Sequence, residues 1–296
     1  MKTNIILAIL IILASSAIQA ASLKRGIYIS EPTLLTKSKL DRLIDEAKEA
    51  KIDTFVVDME HPGKNYAAAI AKIKAANLRY VARVVMFPGG GNAAQIHSTD
   101  YWANKYKLVD AAVSYGVDEV QLDYIRYASK NRPSHQNALD VHKVIQWFKT
   151  NLAAKKIPLQ IDVFGIALKS ESLYIGQDVK LFADTVDVMC PMTYPSHFEP
   201  YLQHSKAPYQ AVKELLGDLN RQFDSKLPFR LDPYIEVSNY RFAMSNSQKQ
   251  EYIRAQIKAA KEAGAEGWYA WSPGNSYGNL FQALKKEDSA LADASK

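Results

Sequence analysis

Cysteine is almost missing from this chain: Cys190 is the only one in 296 residues. No internal disulfide can form, so the core must hold by packing alone, and Cys190 itself, mid-strand among apolar neighbours, reads as inert core. Several signatures of chemistry are absent too. The glycine-rich FPGGGN (Phe87–Asn92) lacks GxGxxG spacing and follows the wrong strand for a dinucleotide site, so no nucleotide cofactor is expected. No HxH or HExxH occurs, which leaves a metal-dependent hydrolase on His61, His197 and carboxylates poorly supported; no metal and no other cofactor is expected. GxSxG is absent, and the adjacent Ser196 and His197 do not by themselves give triad geometry. The longest apolar run, Ile5–Ala14, is short of the roughly 20 residues that span a bilayer.

That run has another reading. Lys2 precedes it, and Ser15, Ser16, Ala17, Ala20 and Ala21 follow it, which is the pattern of a secretory signal over residues 1–20, cleaved after Ala20. A secreted or periplasmic protein is therefore expected, without stable membrane insertion. No cysteine stands near the cleavage site, which argues against a lipoprotein. The net charge is +6, or +5 without Lys2, and the charges are scattered along helical stretches, so a nucleic-acid partner is not expected. A basic surface could favour anionic cell-envelope polymers, although solvated helix faces explain it equally simply. The expected state is a monomer.

About 275 residues remain after Ala20, close to the ~250 of an α/β barrel. Hydrophobic residues make up 48 %, enough for one large core. Eight β-type runs alternate with amphipathic stretches: Arg25–Ser30, Thr54–Glu60, Tyr80–Phe87, Glu119–Tyr127, Leu159–Gly165, Asp187–Tyr194, Phe229–Val237 and Gly267–Ser272. Helices are expected at Ser38–Ala50, Tyr66–Ala76, Asp100–Tyr115, His135–Ala154, Ala207–Phe223 and Gln248–Ala263. Shorter ones fall near Gln177–Ala183 and, shortest of all, after strand eight. Ser245 and Gln248 form a capping box, and Asn77, Gly116 and Gly264 supply left-handed helix ends before strands. Eight βα units predict a (β/α)8 TIM barrel of the α/β class in one domain, over 23–286, with an open doubly wound sheet as runner-up. Residues 287–296 are expected to be a frayed, charged tail.

In such barrels the chemistry sits at the C-terminal strand ends. Alternation places Gln121, Asp123, Ile125 and Tyr127 inward on strand four, with Val120, Leu122 and Tyr124 toward the helices. On strand five it sends Gln160, Asp162 and Phe164 inward. Val56, Asp58 and Glu60 share a side on strand two, Arg83 lies between Val81 and Val85 on strand three, and strand seven groups Arg230, Asp232, Tyr234 and Glu236. Inward carboxylates are costly unless paired or working. Asp162 could be an ion-pair partner of Arg83 or Arg126, Asp58 could orient other groups, and Asp187 at its strand's start reads as structural. Asp123 is hardest to explain structurally. Two carboxyls across a cleft are the machinery of glycosidic cleavage, and aromatic and forked donors for sugar are at hand in Tyr124, Tyr194, Trp271, Arg126, His197 and Asn275.

Four motifs in order, LDYIRY (Leu122–Tyr127), DVFG (Asp162–Gly165), VDVMCPMTYPSH (Val186–His197) and WYAWSPGNSY (Trp268–Tyr277), resemble the bacterial putative glycosyl hydrolase domain family. The resemblance spans nearly all of the mature chain. It implies a TIM barrel with Asp123 as the strand-four acid, and Arg126, Asp162, Tyr194, Pro195, His197 and Trp271 at its other recurrent positions. Ala128 stands where that family often has Pro, and Asp232-Pro233-Tyr234 where it usually has Trp-Leu-Gln. MTY is also similar to the chitinase Met-x-Tyr, but Pro195 replaces the Asp there and strand four lacks DxxDxDxE. The expected function is a glycosidase acting on a polysaccharide or oligosaccharide of envelope, biofilm or host. Asp123, Asp162, Asp58 and Glu236 are its candidate catalytic residues, and Arg126, Tyr124, Tyr194, His197, Trp271, Asn275 and Arg83 its candidate substrate-binding residues. The rival is a non-catalytic glycan-binding TIM barrel.

Overall fold

The computed structural model describes residues 23–294, with side chains as far as Ser289; the expected signal segment lies outside the described residues. Every strand pairing is parallel. The order is β1 (Lys24–Ile29), β2 (Thr54–Asp58), β3 (Arg79–Val85), β4 (Glu119–Asp123), β5 (Leu159–Phe164), β6 (Val188–Met192), the pair β7 (Arg230–Leu231) and β8 (Tyr234–Glu236), and β9 (Gly267–Trp271). Strand β6 pairs with both β7 and β8, and β9 pairs back onto β1, so the sheet closes. The segments β7 and β8 are one barrel strand interrupted at Asp232-Pro233, where proline has no N–H to give the ladder. The closed eight-stranded α/β barrel is the architecture the strand count predicted.

Alternation accounts for its two cores. Ile27, Phe55, Val57, Leu122, Ile161 and Val163 point outward against Leu43, Ile70, Ile145, Phe148 and Leu216 of the helices. Each such fully buried side chain stabilises the fold by roughly 1.5–3 kcal/mol. The interior set holds Val56, Val81, Val188, Cys190, Tyr194, Tyr234 and Tyr269. Below them the barrel is polar: Arg230 bonds Glu119 at 2.6 Å and Asp232 at 2.8 Å. Above, Tyr234 donates to Gln121 at 2.7 Å and Gln121 to Gln160 at 2.9 Å. Gly26 makes this filling possible, since a Cβ there would lie 2.3 Å from the Tyr269 ring.

The helix ends match the sequence chemistry. Ser245 and Gln248 form the capping box of helix Asn246–Glu262, and Asn77, Gly116 and Gly264 have φ of 60°, 79° and 85°. Asp187 bonds Lys149 and the Leu159 amide, a structural role. Two expectations fail. The last helix is not the shortest: it runs Gly278–Ala294, where Leu280, Phe281 and Leu284 are buried on the barrel and Asp288 pairs with Arg25 at 2.9 Å. Strand β4 also stops at Asp123. Tyr124 has φ of 51°, a left-handed turn that breaks alternation. Ile125 and Tyr127, expected inside the barrel, therefore pack in the outer core, while Tyr124 turns to the cavity instead of the helices.

Candidate active site

A cavity of about 810 Å³ opens at the C-terminal end of the barrel. Its floor is acidic, and one cation organises it. Arg83, on β3, donates to Asp58 of β2 and Asp123 of β4. Its Nε stands 3.9 Å from Asp162 Oδ2 on β5. The Tyr28 and Trp271 rings, 4.2 Å apart, lie about 5.4 and 5.3 Å from the guanidinium carbon and fix it from the side. All four charged residues are buried, so strand register alone brings three carboxyls onto one guanidinium.

The three carboxyls are not equivalent. Asp58 accepts from Tyr28 Oη at 2.5 Å and sits behind Arg83, away from the cavity wall. Asp123 accepts the Tyr124 amide at 2.5 Å in addition to Arg83, and it faces the cavity. Asp162 also faces the cavity, is 2 % exposed, and its Oδ1 has no hydrogen-bond partner. Burial, reinforced by Asp123 and opposed by Arg83, holds the Asp162 carboxyl well above the usual carboxylate range. One net positive charge cannot match three carboxylates, and Asp162 is the least solvated and least bonded of them.

The walls come from the loops after the strands. Tyr124, Arg126, Tyr194, His197 and Trp271 line the cavity, with Phe164, Phe198, Tyr201, Lys169 and Arg241 farther out. Burial keeps Tyr194 a neutral phenol, and burial together with Arg241 holds the His197 ring below its ordinary value, hence neutral near pH 7. The turn carrying Ser196 and His197 is anchored from behind. Glu236 accepts from the Ser196 amide at 3.0 Å and its Oγ at 2.6 Å, and from Tyr252. Glu236, expected as a candidate acid, is therefore a buried anchor outside the cavity lining. Asn275 is likewise outside it. Its amide bonds Ser30 and the Tyr28 and Ser272 carbonyls, tying the first strand to the last. Asp123, Asp162, Arg83, Arg126, Tyr124, Tyr194, His197 and Trp271 do share the one cavity. The outer wall of Phe198, Tyr201 and Arg241 went unrecognised in the sequence, because loop residues carry no periodicity.

Among the described residues no three His, Cys, Asp or Glu side chains converge as a metal site. No helix there is long and apolar enough to cross a membrane.

A closed parallel barrel with a carboxyl cluster at its C-terminal mouth defines a TIM-barrel protein. The family model described as "Putative glycosyl hydrolase domain" matches residues 89–277, well over half of the chain, and the chain belongs to that family. No curated protein matches it. Its fold is similar to that of the spore cortex-lytic enzyme SleL of Bacillus cereus (TM-score 0.65, 12 % identity, 88 % of this chain and 73 % of that one). It is also similar to a chitinase from Chromobacterium violaceum (TM-score 0.62, 12 % identity, 90 % and 98 %) and to an endo-1,4-beta-D-mannanase from Thermotoga petrophila (TM-score 0.60, 12 % identity, 84 % and 88 %). At such identities the likeness is one of fold alone.

Proposed function

We propose that this protein hydrolyses a glycosidic bond of a polysaccharide or oligosaccharide with Asp162 as proton donor and Asp123, paired with Arg83, as the second carboxyl group. The observation that carries the proposal is the buried Asp162 carboxyl, whose Oδ1 has no hydrogen-bond partner, at the floor of an open cavity. A carboxyl that keeps its proton near neutrality is what protonation of a departing glycosidic oxygen requires. Its proton passes to the leaving oxygen as the anomeric C–O bond breaks. Asp123 stabilises the positive charge growing on the sugar ring. Water supplies the hydroxyl that ends on the anomeric carbon, and its proton returns a carboxyl to the acid form. Arg83 holds Asp123 in place and limits the negative charge of the floor, while Tyr124, Trp271 and Tyr194 offer ring faces and a hydroxyl to the sugar. The leader pattern at residues 1–20 supports export, so the working place is outside the cytoplasm.

Asp162→Asn and Asp123→Asn test this on a panel of soluble polysaccharides by release of reducing ends. Each should lower kcat by roughly 10²–10⁴-fold while oligosaccharide binding persists. Wild-type protein that binds glycans but releases no reducing ends from any of them would identify a glycan-binding barrel instead.

A further inference from the structure

The mouth of the cavity carries charge that the floor does not use. Arg83 is spent on Asp58 and Asp123, and Glu199 at the rim accepts from Tyr201 Oη at 2.9 Å. Three more cations line the same opening: Arg126, Lys169 and Arg241. Among the described residues none of the three has a carboxylate within 4 Å. Arg241 reaches only a backbone group, its Nε donating to the Ser196 carbonyl at 2.8 Å while its guanidinium lies 4.8 Å from the Tyr201 ring centre. The neutral His197 adds no charge.

Arg126 is the informative one. It is 8 % exposed, its Nη1 donates to the Tyr127 carbonyl at 2.9 Å, and its Nε has no partner. The Tyr124 and Phe164 rings hold its guanidinium at 5.2 and 5.0 Å. A guanidinium this buried normally has a counter-ion, because its desolvation is costly. Here the fold supplies rings and one carbonyl; Nη1 is used on that carbonyl and Nε is enclosed, which leaves Nη2 of this cavity-lining residue as the donor free for an anion. A guanidinium N–H on a carboxylate makes a charge-assisted hydrogen bond, roughly twice as strong as a neutral one.

We infer that the glycan taken by this cavity is acidic, with a sugar carboxylate seated on Arg126 and a further acidic unit of the chain met by Arg241 and Lys169. This rests on the glycan-processing reading above and names its substrate class. At the rim Glu199 is the one carboxylate lining the cavity against Arg126, Lys169 and Arg241, so a neutral glycan leaves the rim cationic, whereas a polyuronate brings further carboxylates at each successive unit.

The test compares carboxylated glycans with counterparts of identical linkage and length whose carboxyls have been reduced to hydroxymethyl groups. Oligomers of polygalacturonate, alginate and hyaluronan, each in both forms, are titrated calorimetrically into the wild-type protein, R126Q and R241Q at low and high salt. Arg241 is solvent-exposed, so R241Q reads the rim even if R126Q folds poorly. The expected result is at least tenfold tighter binding of one or more acidic forms over the reduced form. The preference should shrink with salt and fall at least threefold in R241Q and further in R126Q. Equal binding of both forms, binding of none of the acidic oligomers, or a preference unaltered in both variants overturns the inference. Stronger binding of poly(glycerol phosphate) than of any carboxylated glycan overturns the carboxylate assignment. Reducing-end release is scored separately. Acid-selective binding without cleavage leaves this inference standing and removes the hydrolase; cleavage of reduced and acidic forms alike does the reverse.

Discussion

Replacing Asp162 by asparagine should make the protein more stable at neutral pH even as it removes activity, and the size of the gain can be worked out from the site. The carboxyl is raised in the folded state by burial, then by Asp123 and Asp58, against the pull of Arg83. It binds its proton more tightly there than in the unfolded chain, where aspartate titrates near ~3.9. Its contribution to stability is therefore fully present below pH ~3.9. It is lost by about 1.4 kcal/mol, tenfold in the folding equilibrium, for every pH unit above that, until the buried carboxyl itself ionises. Asparagine keeps the shape of the protonated acid and has no proton to lose. The stability difference between Asp162→Asn and wild type should thus widen with that slope from about pH 4 upward. Urea unfolding followed by fluorescence at a series of pH values measures it, and each kcal/mol corresponds to about 2–4 °C in Tm for a domain of this size. The competing outcome is specific. If the difference is flat with pH, or Asp162→Asn is the less stable protein at pH 7, then Asp162 is ionised in the fold and balanced by Arg83, and its assignment as proton donor fails.

Gly26→Ala should cost about 1–3 kcal/mol in chemical denaturation, since the new methyl would press on the fully enclosed Tyr269 ring; a neutral result would mean the barrel interior can shift to admit it. Asp288→Asn should cost about 1 kcal/mol or less, and less still at high salt, because its pair with Arg25 is partly solvated. The hydrogen bond from Arg25 is the first cause that depresses the Asp288 pKa, so this contribution is present above the unfolded value and should vanish as thermal melts are carried into acid.

The barrel was legible because its strands read as short apolar runs set between amphipathic stretches and helix-ending Asn or Gly. Asp123, Asp162 and Arg83 were legible because each is a charged residue inside such an apolar strand. The pattern fails where the backbone leaves the extended region. Nothing in LDYIRY announces that Tyr124 takes a positive φ, and that one residue exchanged the sides expected for Tyr124, Ile125 and Tyr127. Carboxylates also look alike in sequence. Glu236 shares the inward register of Tyr234, but its partners Ser196 and Tyr252 come from distant segments, so its role as an anchor could be seen only once they met. The terminal helix was underestimated because its charged surface residues mask the buried Leu280, Phe281 and Leu284.

The tie made by Asn275 has a consequence for how the chain is made. Its amide reaches the Tyr28 carbonyl across 247 residues of sequence, and β9 is one of the two partners of β1. During synthesis the first strand therefore waits, one edge unpaired, until nearly the whole chain has emerged. A nascent chain stopped short of Gly267 would be an open sheet with two edges free to pair with other molecules. The β1–β9 pairing that closes the barrel is also its most non-local one, so it should dominate the folding time. Released fragments ending before Gly267 and after Tyr277 should then differ abruptly in protease resistance, not gradually with length.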